Sequence, residues 1–189
     1  SMKKPGLSPV LFTAAFCMMA GVGAIVSILP RRILDLSTDG ISLGLLSTSF
    51  AVAYLAAQLP VGYLADRFGA SAFLVGGYLV CAAAGLIFYL APNATVILVA
   101  RIVQGIGEAP VWALGPALLS VHHDDRRALA MGHYNAAIHI GLTVGPVIGY
   151  LARGNMAFSV YAGLCIAGAA ILYWGIADTG KTPAIVGQQ

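Results

Sequence analysis

Six apolar segments constrain the fold of this chain more than any other feature. They cover approximately residues 8–30, 41–64, 72–91, 95–120, 128–151 and 157–177. A helix of about 20 apolar residues spans the hydrocarbon core of a bilayer, which is roughly 30 Å thick. Of the 189 residues, 59% are hydrophobic and only 9% are charged, whereas soluble domains carry about 25% charged residues. We therefore expect an all-α polytopic membrane protein of six transmembrane helices, surrounded by membrane lipids, with residues 1–189 forming one domain.

The basic residues between the segments predict the orientation of the chain. Short cytoplasmic loops carry an excess of lysine and arginine. If the N-terminus is cytoplasmic, the inner side holds Lys3, Lys4, Arg67, Arg126, Arg127 and Lys181. The outer side then holds Arg31, Arg32 and Arg153. We expect both termini, including the tail 178–189, to lie in the cytoplasm.

The chain also repeats a short string. Gly-Tyr-Leu-Ala occurs at residues 62–65, at the end of segment 2, and again at residues 149–152, at the end of segment 5. This repetition predicts two three-helix repeats, residues 8–91 and 95–177. Because three is an odd number, the second repeat must be inverted across the membrane, an arrangement known from secondary transporters. Chance similarity between glycine-rich apolar strings is the alternative explanation.

Segment 4 carries a polar stripe inside an apolar helix. At 100° per residue, five residues fall within roughly 100° of arc, namely Arg101, Gln104, Gly105, Glu108 and Trp112. A charge facing lipid at mid-membrane costs about 2.5–3.5 kcal/mol on insertion scales, so the stripe must face a protein-lined interior. Two helical turns, about 10.5 Å, separate Arg101 from Glu108, which is too far for a certain contact, although the side chains could approach through water. Alternatively, Arg101 bonds backbone carbonyls and Glu108 caps a break before Pro110.

Two further polar pairs lie inside apolar segments. Tyr54 and Gln58 are four residues apart in segment 2, and Asn135 and His139 are four apart in segment 5. This spacing puts each pair on one helix face. Polar side chains at membrane depth face the interior of a bundle or a cavity. We expect the pairs to line a shared cavity, and helix–helix hydrogen bonding is the alternative.

The connection between segments 2 and 3 resembles a known family signature. Residues 62–69 read GYLADRFG, and five of them match the signature of the major facilitator superfamily of transporters: Gly62, Leu64, Asp66, Arg67 and Gly69. Ala70 and Ser71 stand where that family usually has basic residues. The resemblance implies a gating latch formed by Gly62, Asp66, Arg67 and Gly69, while the glycines themselves favour close helix approach and a tight reversal.

Segments 4 and 5 resemble two further motifs of the same family. The matching residues in segment 4 are Arg101, Gln104, Gly105, Gly107 and Ala109, and those in segment 5 are Gly141, Gly145, Pro146 and Gly149. The resemblance implies an arginine that faces a central cavity and tunes the protonation of an acid. Segment 5 has Tyr150 where the motif, which is typical of exporters, ends in glycine. We expect the glycines to pack helices tightly and Pro146 to form a hinge.

The resemblance implies half of a secondary transporter, since family members have two six-helix halves. We expect proton-coupled export of a small organic molecule by alternating access, in the cytoplasmic (inner) membrane of a bacterium. One six-helix unit alone is expected to expose its polar stripe to lipid. A partner surface is therefore expected, from a homodimer or from a separate or removed C-terminal half.

Three alternatives remain open at this point. The chain could be a proton-coupled importer, an inert six-helix assembly unit, or an intramembrane serine protease, which would need a serine nucleophile and a histidine base at membrane depth. We expect no enzyme activity and no cofactor. The four histidines do not show a zinc-site spacing, so no metal is expected. A net charge of +3 is too small to indicate a nucleic-acid partner.

Overall fold

The computed structural model describes residues 6–36, 43–122 and 126–177 and consists there of six helices. They are α1 (Leu7–Leu36), α2 (Leu43–Phe68), α3 (Ala70–Leu90), α4 (Ala94–His122), α5 (Arg127–Ala152) and α6 (Met156–Ala177). All six are long and apolar enough to cross a membrane. The prediction of an all-α protein with six membrane helices is confirmed. The predicted cytoplasmic tail and the first residues of segment 2 lie outside the described residues.

Two helices extend beyond the apolar segments that predicted them. α1 continues through Pro30 to Leu36, so Arg31 and Arg32 lie on a helix and not in a loop. α2 likewise continues to Phe68 and includes Asp66 and Arg67 in its last turn. Hydropathy ends each segment at the first charges, whereas backbone hydrogen bonding lets a helix project beyond the hydrocarbon core.

The inner helices of the bundle are α1 and α4. α1 packs mainly on α5 and α6, α4 packs mainly on α2 and α3, and α3 packs on α6. Most of the apolar stretch of α1 and of α4 is buried, whereas that of α2 and of α5 is largely exposed. The core between them is apolar and includes the aromatic rings of Tyr78, Phe88, Phe158 and Tyr161.

Glycines bring α5 directly against the backbone of α1. A Cβ atom added at Gly141, Gly145 or Gly149 would lie 2.5–2.8 Å from the carbonyl oxygens of Phe16, Ala20 and Ala24, respectively. The four-residue period of both sets keeps them on facing sides of the two helices. Any larger side chain at these positions of α5 would force the helices apart.

A single residue separates α2 from α3. Gly69 has φ 97° and ψ 131°, and its N–H donates to the carbonyl of Ala65 over 2.9 Å. Side chains of L-residues strongly disfavour this backbone region, which glycine adopts freely. The reversal after GYLADRF therefore depends on glycine at this position.

Candidate functional site

Four side chains on α4 form a continuous hydrogen-bonded row, which we call the polar ladder: Arg101, Gln104, Glu108 and Trp112. Arg101 Nη1 donates to Gln104 Oε1 over 2.8 Å. Gln104 Nε2 then donates to Glu108 Oε1, also over 2.8 Å. Trp112 Nε1 donates to Glu108 Oε2 over 3.3 Å. Spacings of three and four residues make successive side chains neighbours on one helix face. The side chain of Gln104 thus connects Arg101 with Glu108, whereas the spacing along the helix left an approach through water.

Three of the four side chains of the polar ladder are buried within the six-helix unit, and Trp112 is half-buried. The exposed fractions of the residues are 8% for Arg101, 0% for Gln104 and 3% for Glu108. The expectation that a single six-helix unit exposes this stripe to lipid is therefore wrong. The physical reason is that α2 covers the stripe, which the sequence pattern of α4 alone does not reveal.

α2 holds the arginine end of the ladder. Arg101 Nε donates to the backbone carbonyl of Leu46 over 3.4 Å. The Arg101 guanidinium carbon lies 4.5 Å from the centroid of the Phe50 ring, a cation–π distance. α2 can come this close because Gly105 on α4 has no side chain. A Cβ at that position would lie 2.5 Å from the Phe50 carbonyl oxygen. The arginine therefore bonds a backbone carbonyl and the ladder at once.

Charge balance makes this buried row possible. Transfer of an unpaired charge into an apolar interior is very costly, and buried ions persist where they are paired and hydrogen-bonded. When both groups are ionised, the ladder holds one guanidinium and one carboxylate, linked by a neutral amide. A proton arriving at Glu108 would remove one side of this balance.

α3 and α5 support α4 from the other side. Gly107 is in close contact with α3, since a Cβ there would lie 2.7 Å from Cys81 Sγ. Tyr134 of α5 donates from its hydroxyl to the Val111 carbonyl over 3.1 Å. Sequence reasoning missed Tyr134. The available signal was a tyrosine inside an apolar helix, because a buried tyrosine hydroxyl usually finds a hydrogen-bond partner.

The two predicted polar pairs occupy different environments. Gln58 Nε2 donates to Tyr54 Oη within α2, and both side chains are half-buried. Tyr54 lies beside Gly105 of α4, since a Cβ atom added at Gly105 would be 3.0 Å from the backbone nitrogen of Tyr54. Asn135 and His139 are exposed on α5, and no hydrogen bond joins their side chains to the ladder in the part of the chain that the structure describes. The structure places one pair near α4 and the other on the bundle surface.

The predicted latch residues lie at the end of α2. Asp66 and Arg67 are exposed, and neither forms an ion pair with another described residue. The Arg67 guanidinium lies 5.4 Å from the Phe68 ring centroid. A Cβ at Gly62 would meet nothing within 4 Å, so the expected close approach of another helix is not made by the described part of this chain. Their gating role stays a prediction.

The described residues contain no group of three or more His, Cys, Asp or Glu side chains that could hold a metal ion. The chemistry of the polar ladder is that of a guanidinium, an amide, an indole and a carboxyl group, which can exchange hydrogen bonds and a proton.

Comparison with known proteins agrees with this architecture. Among relatives by sequence, an uncharacterised MFS-type transporter of Methanocaldococcus jannaschii is 33% identical over 141 residues, which is 74% of this chain and 36% of that protein. Multidrug resistance protein 2 of Bacillus subtilis is 28% identical over 149 residues, or 77% of this chain and 36% of that protein. The quinolone resistance protein NorA of Staphylococcus aureus is 28% identical over 141 residues. The matched region is thus about a third of these relatives' length.

Solved structures show the same fold. The human organic anion transporter MFSD10 superposes with a TM-score of 0.77 at 17% identity, over 89% of this chain and 46% of that one. A peptide transporter, POT, superposes with a TM-score of 0.74, also at 17% identity, over 95% of this chain and 40% of that one. The sequence model of the Major Facilitator Superfamily matches residues 11–188. The chain therefore belongs to the Major Facilitator Superfamily of transporters.

Proposed function

We propose that this chain is a six-helix half of a proton-coupled secondary transporter that exports a small organic molecule by alternating access. The observation that carries the proposal is the polar ladder, in which Arg101, Gln104 and Glu108 form one buried hydrogen-bonded row. Ionisable groups at membrane depth are costly to keep and are typically functional. Family membership favours transport over the enzymatic alternative, an intramembrane protease.

Glu108 is the proposed proton carrier. Both of its carboxylate oxygens accept hydrogen bonds, one from Gln104 and one from Trp112. Protonation removes the negative charge that balances Arg101 and weakens both bonds, because bonds to charged acceptors are the stronger ones. Arg101 would then hold more firmly to Leu46 and Phe50 of α2. A proton on Glu108 thereby favours one packing of α4 against α2 over another, which is what coupling requires.

The remaining predicted residues have distinct proposed roles. Tyr54, Gln58, Asn135 and His139 would contact substrate on the faces that α2 and α5 present. Gly62, Asp66, Arg67 and Gly69 would form the cytoplasmic latch. Gly105, Gly107, Gly141, Gly145 and Gly149 would keep the helices in close contact, with Pro146 as the hinge.

The names of the relatives support export. Two of them are resistance proteins, one against multiple drugs and one against quinolones, and a transporter confers resistance by removing the drug.

The packing pattern supports the proposed inverted repeats, residues 8–91 and 95–177. α1 packs on α5 and α6 as α4 packs on α2 and α3, and α3 packs on α6 across the middle. In such a transporter, both termini would lie in the cytoplasm of a bacterium.

A second six-helix surface would complete the pathway. The chain spans about a third of the length of the relatives it matches, and α2 and α5 are exposed along much of their length. A second copy of the chain or a separate C-terminal half would cover these two helices. The substrate would then pass between the two halves, close to the polar ladder.

Transport by the purified chain in proteoliposomes tests the proposal. A pH gradient should drive movement of a cationic aromatic dye, and the double variant Arg101→Ala, Glu108→Gln should abolish it while membrane insertion stays intact. Asp35→Asn is the matched control, because it removes a carboxylate that lies exposed at the end of α1. Full transport by the double variant would contradict the proposed transport mechanism. Absence of flux from correctly inserted wild-type protein would exclude a transporter made only of copies of this chain.

A further inference from the structure

A basic cavity lies at the end of the bundle where α1 and α5 end and α6 begins. Its volume is about 540 Å³. Four charged side chains line it: Arg31, Arg32, Asp35 and Arg153. Among the described residues that line the cavity, three guanidiniums against one carboxylate leave two net positive charges. Arg31 and Arg153 make neither an ion pair nor a hydrogen bond with any described residue, so their charges are not neutralised by those neighbours.

One of the three arginines is fixed in place. Arg32 Nη2 donates to the Ala91 carbonyl in the α3–α4 turn over 3.2 Å. Its Nε–H is shielded from solvent and has no hydrogen-bond partner among the described residues. The bond to the Ala91 carbonyl therefore holds the guanidinium at the cavity wall.

The backbone at Arg153 carries a further indication. Arg153 ends α5 with φ 52°, and the following Gly154 has φ 61°. Glycine or asparagine usually occupies a left-handed position at a helix end, because other side chains are strained there. The Arg153 side chain is exposed, so packing does not explain an arginine at this position. Arg153 lines the cavity.

The cavity wall also has an apolar part, to which Ile28, Tyr150 and Phe158 contribute. It therefore presents apolar surface next to guanidiniums, close to the level at which a helical bundle meets the lipid headgroups. Guanidiniums bind phosphate oxygens through paired charge-assisted hydrogen bonds. We propose that Arg31, Arg32 and Arg153 form a binding site for a phosphate-type oxyanion, either the headgroup of an anionic phospholipid or a free phosphate.

The proposed anion site accounts for an anomaly in the charge distribution. Arg31, Arg32 and Arg153 are the three basic residues that the orientation count places on the outer side, against the general bias. All three line the same cavity. The site shares no residue with the polar ladder, so it does not depend on the proposed transport mechanism.

Two binding measurements on the full chain distinguish the sources of the oxyanion. Native mass spectrometry from detergent reports the fraction of chains that keep one phosphatidylglycerol, with phosphatidylcholine as the neutral reference. Isothermal titration with sodium phosphate reports the free anion. The double variant Arg31→Gln, Arg153→Gln should weaken whichever ligand binds by about tenfold or more, because charge-assisted hydrogen bonds are strong. Arg32 is left unchanged because it holds the α3–α4 turn.

Two further variants make the outcome specific. Asp35→Asn removes the one carboxylate among the described residues that line the cavity and should tighten binding about two- to threefold, since it removes a like charge. Arg126→Gln, Arg127→Gln removes two exposed charges at the opposite end of the bundle and should change binding less than about twofold, because that distance exceeds the Debye length. Lipid retention alone identifies the headgroup, and phosphate binding alone identifies the free anion. Binding of neither, or an equal loss in both arginine double variants, would overturn the site.

Discussion

The amide of Gln104 connects the two charged side chains of α4. Its oxygen accepts from Arg101 and its nitrogen donates to Glu108, each over 2.8 Å. An amide offers an acceptor and a donor on one rigid group, and an apolar side chain of similar size offers neither. The polar ladder therefore depends on this neutral residue as much as on the two charges.

Replacing Gln104 by leucine should destabilise the protein. The substitution keeps a similar volume but leaves Arg101 and Glu108 buried without their shared partner. An unsatisfied buried polar group costs about 1–3 kcal/mol, and more if charged, so the free energy of unfolding should fall by about 2–4 kcal/mol. Chemical denaturation in a mild detergent measures the change.

Gln58→Leu is the control for this prediction. Gln58 is half-buried, and its hydrogen bond to Tyr54 stays within one helix, so its loss should cost less than about 1 kcal/mol. If both leucine variants lost the same stability, the ladder would not be the buried hydrogen-bonded network that the geometry indicates.

The members of the ladder were predictable from sequence, but their surroundings were not. Helical periodicity is enough to put Arg101, Gln104 and Glu108 on one face, because they lie three and four residues apart. Leu46 is 55 positions away from Arg101, and a contact over that separation depends on how the helices pack. For the same reason, a pattern confined to α4 could not show that α2 covers the stripe.

At the scale of the elements, small residues set the distance between α5 and α1. Gly145 lies where a Cβ would be 2.5 Å from the Ala20 carbonyl oxygen and 2.6 Å from the Gly23 Cα. The four-residue glycine period predicts a tight helix contact, but periodicity does not identify the partner helix. The structure identifies it as α1, whose own glycine at residue 23 meets α5 at the same level.

Gly145→Ala should loosen the contact between α5 and α1. The added methyl group would collide with backbone atoms, which cannot rotate away, and overpacking of this kind costs about 1–3 kcal/mol. We expect a fall in the melting temperature measured in detergent.

Gly132→Ala on the same helix is the matched control, because a Cβ there meets nothing within 4 Å. Alanine has the higher helix propensity by roughly 1 kcal/mol, so this variant should melt at the same or a higher temperature. A Gly145→Ala protein as stable as Gly132→Ala would contradict the close packing of the two helices.

At the scale of the whole molecule, the helices differ in how much of each one the rest of the chain covers. In an 18-residue apolar stretch of each helix, 6% of α2 and 22% of α5 is buried, against 61% for α1 and for α4. Burial of the polar ladder beneath α2 shows that the unit does not need a partner to shield its charges. The proposed second six-helix surface is supported by these two exposed helices and by the greater length of the relatives.

Cysteine cross-linking in the membrane tests whether α2 and α5 meet a second copy. Leu59 on α2 is 84% exposed and Ile140 on α5 is 56% exposed. In a chain with Cys17 changed to alanine, Leu59→Cys, Ile140→Cys should give a covalent dimer with a short bifunctional thiol reagent.

The control pair is Leu86→Cys on α3 with Ile166→Cys on α6, both 55% exposed. These helices pack on each other across the middle of the bundle, and their outer faces should meet lipid. Equal dimer yields from the two pairs would mean that α2 and α5 form no specific interface between copies.

The central claim is that Glu108 carries the proton that drives transport, and one measurement tests it most directly. Proteoliposomes containing Glu108→Gln are compared with wild type for two activities: dye accumulation driven by a pH gradient, and dye counterflow without a gradient. Glutamine keeps the shape of the side chain but cannot exchange a proton at neutral pH. Loss of gradient-driven accumulation with counterflow retained is the result that we predict. Gradient-driven accumulation at the wild-type rate would contradict the proposed role of the polar ladder.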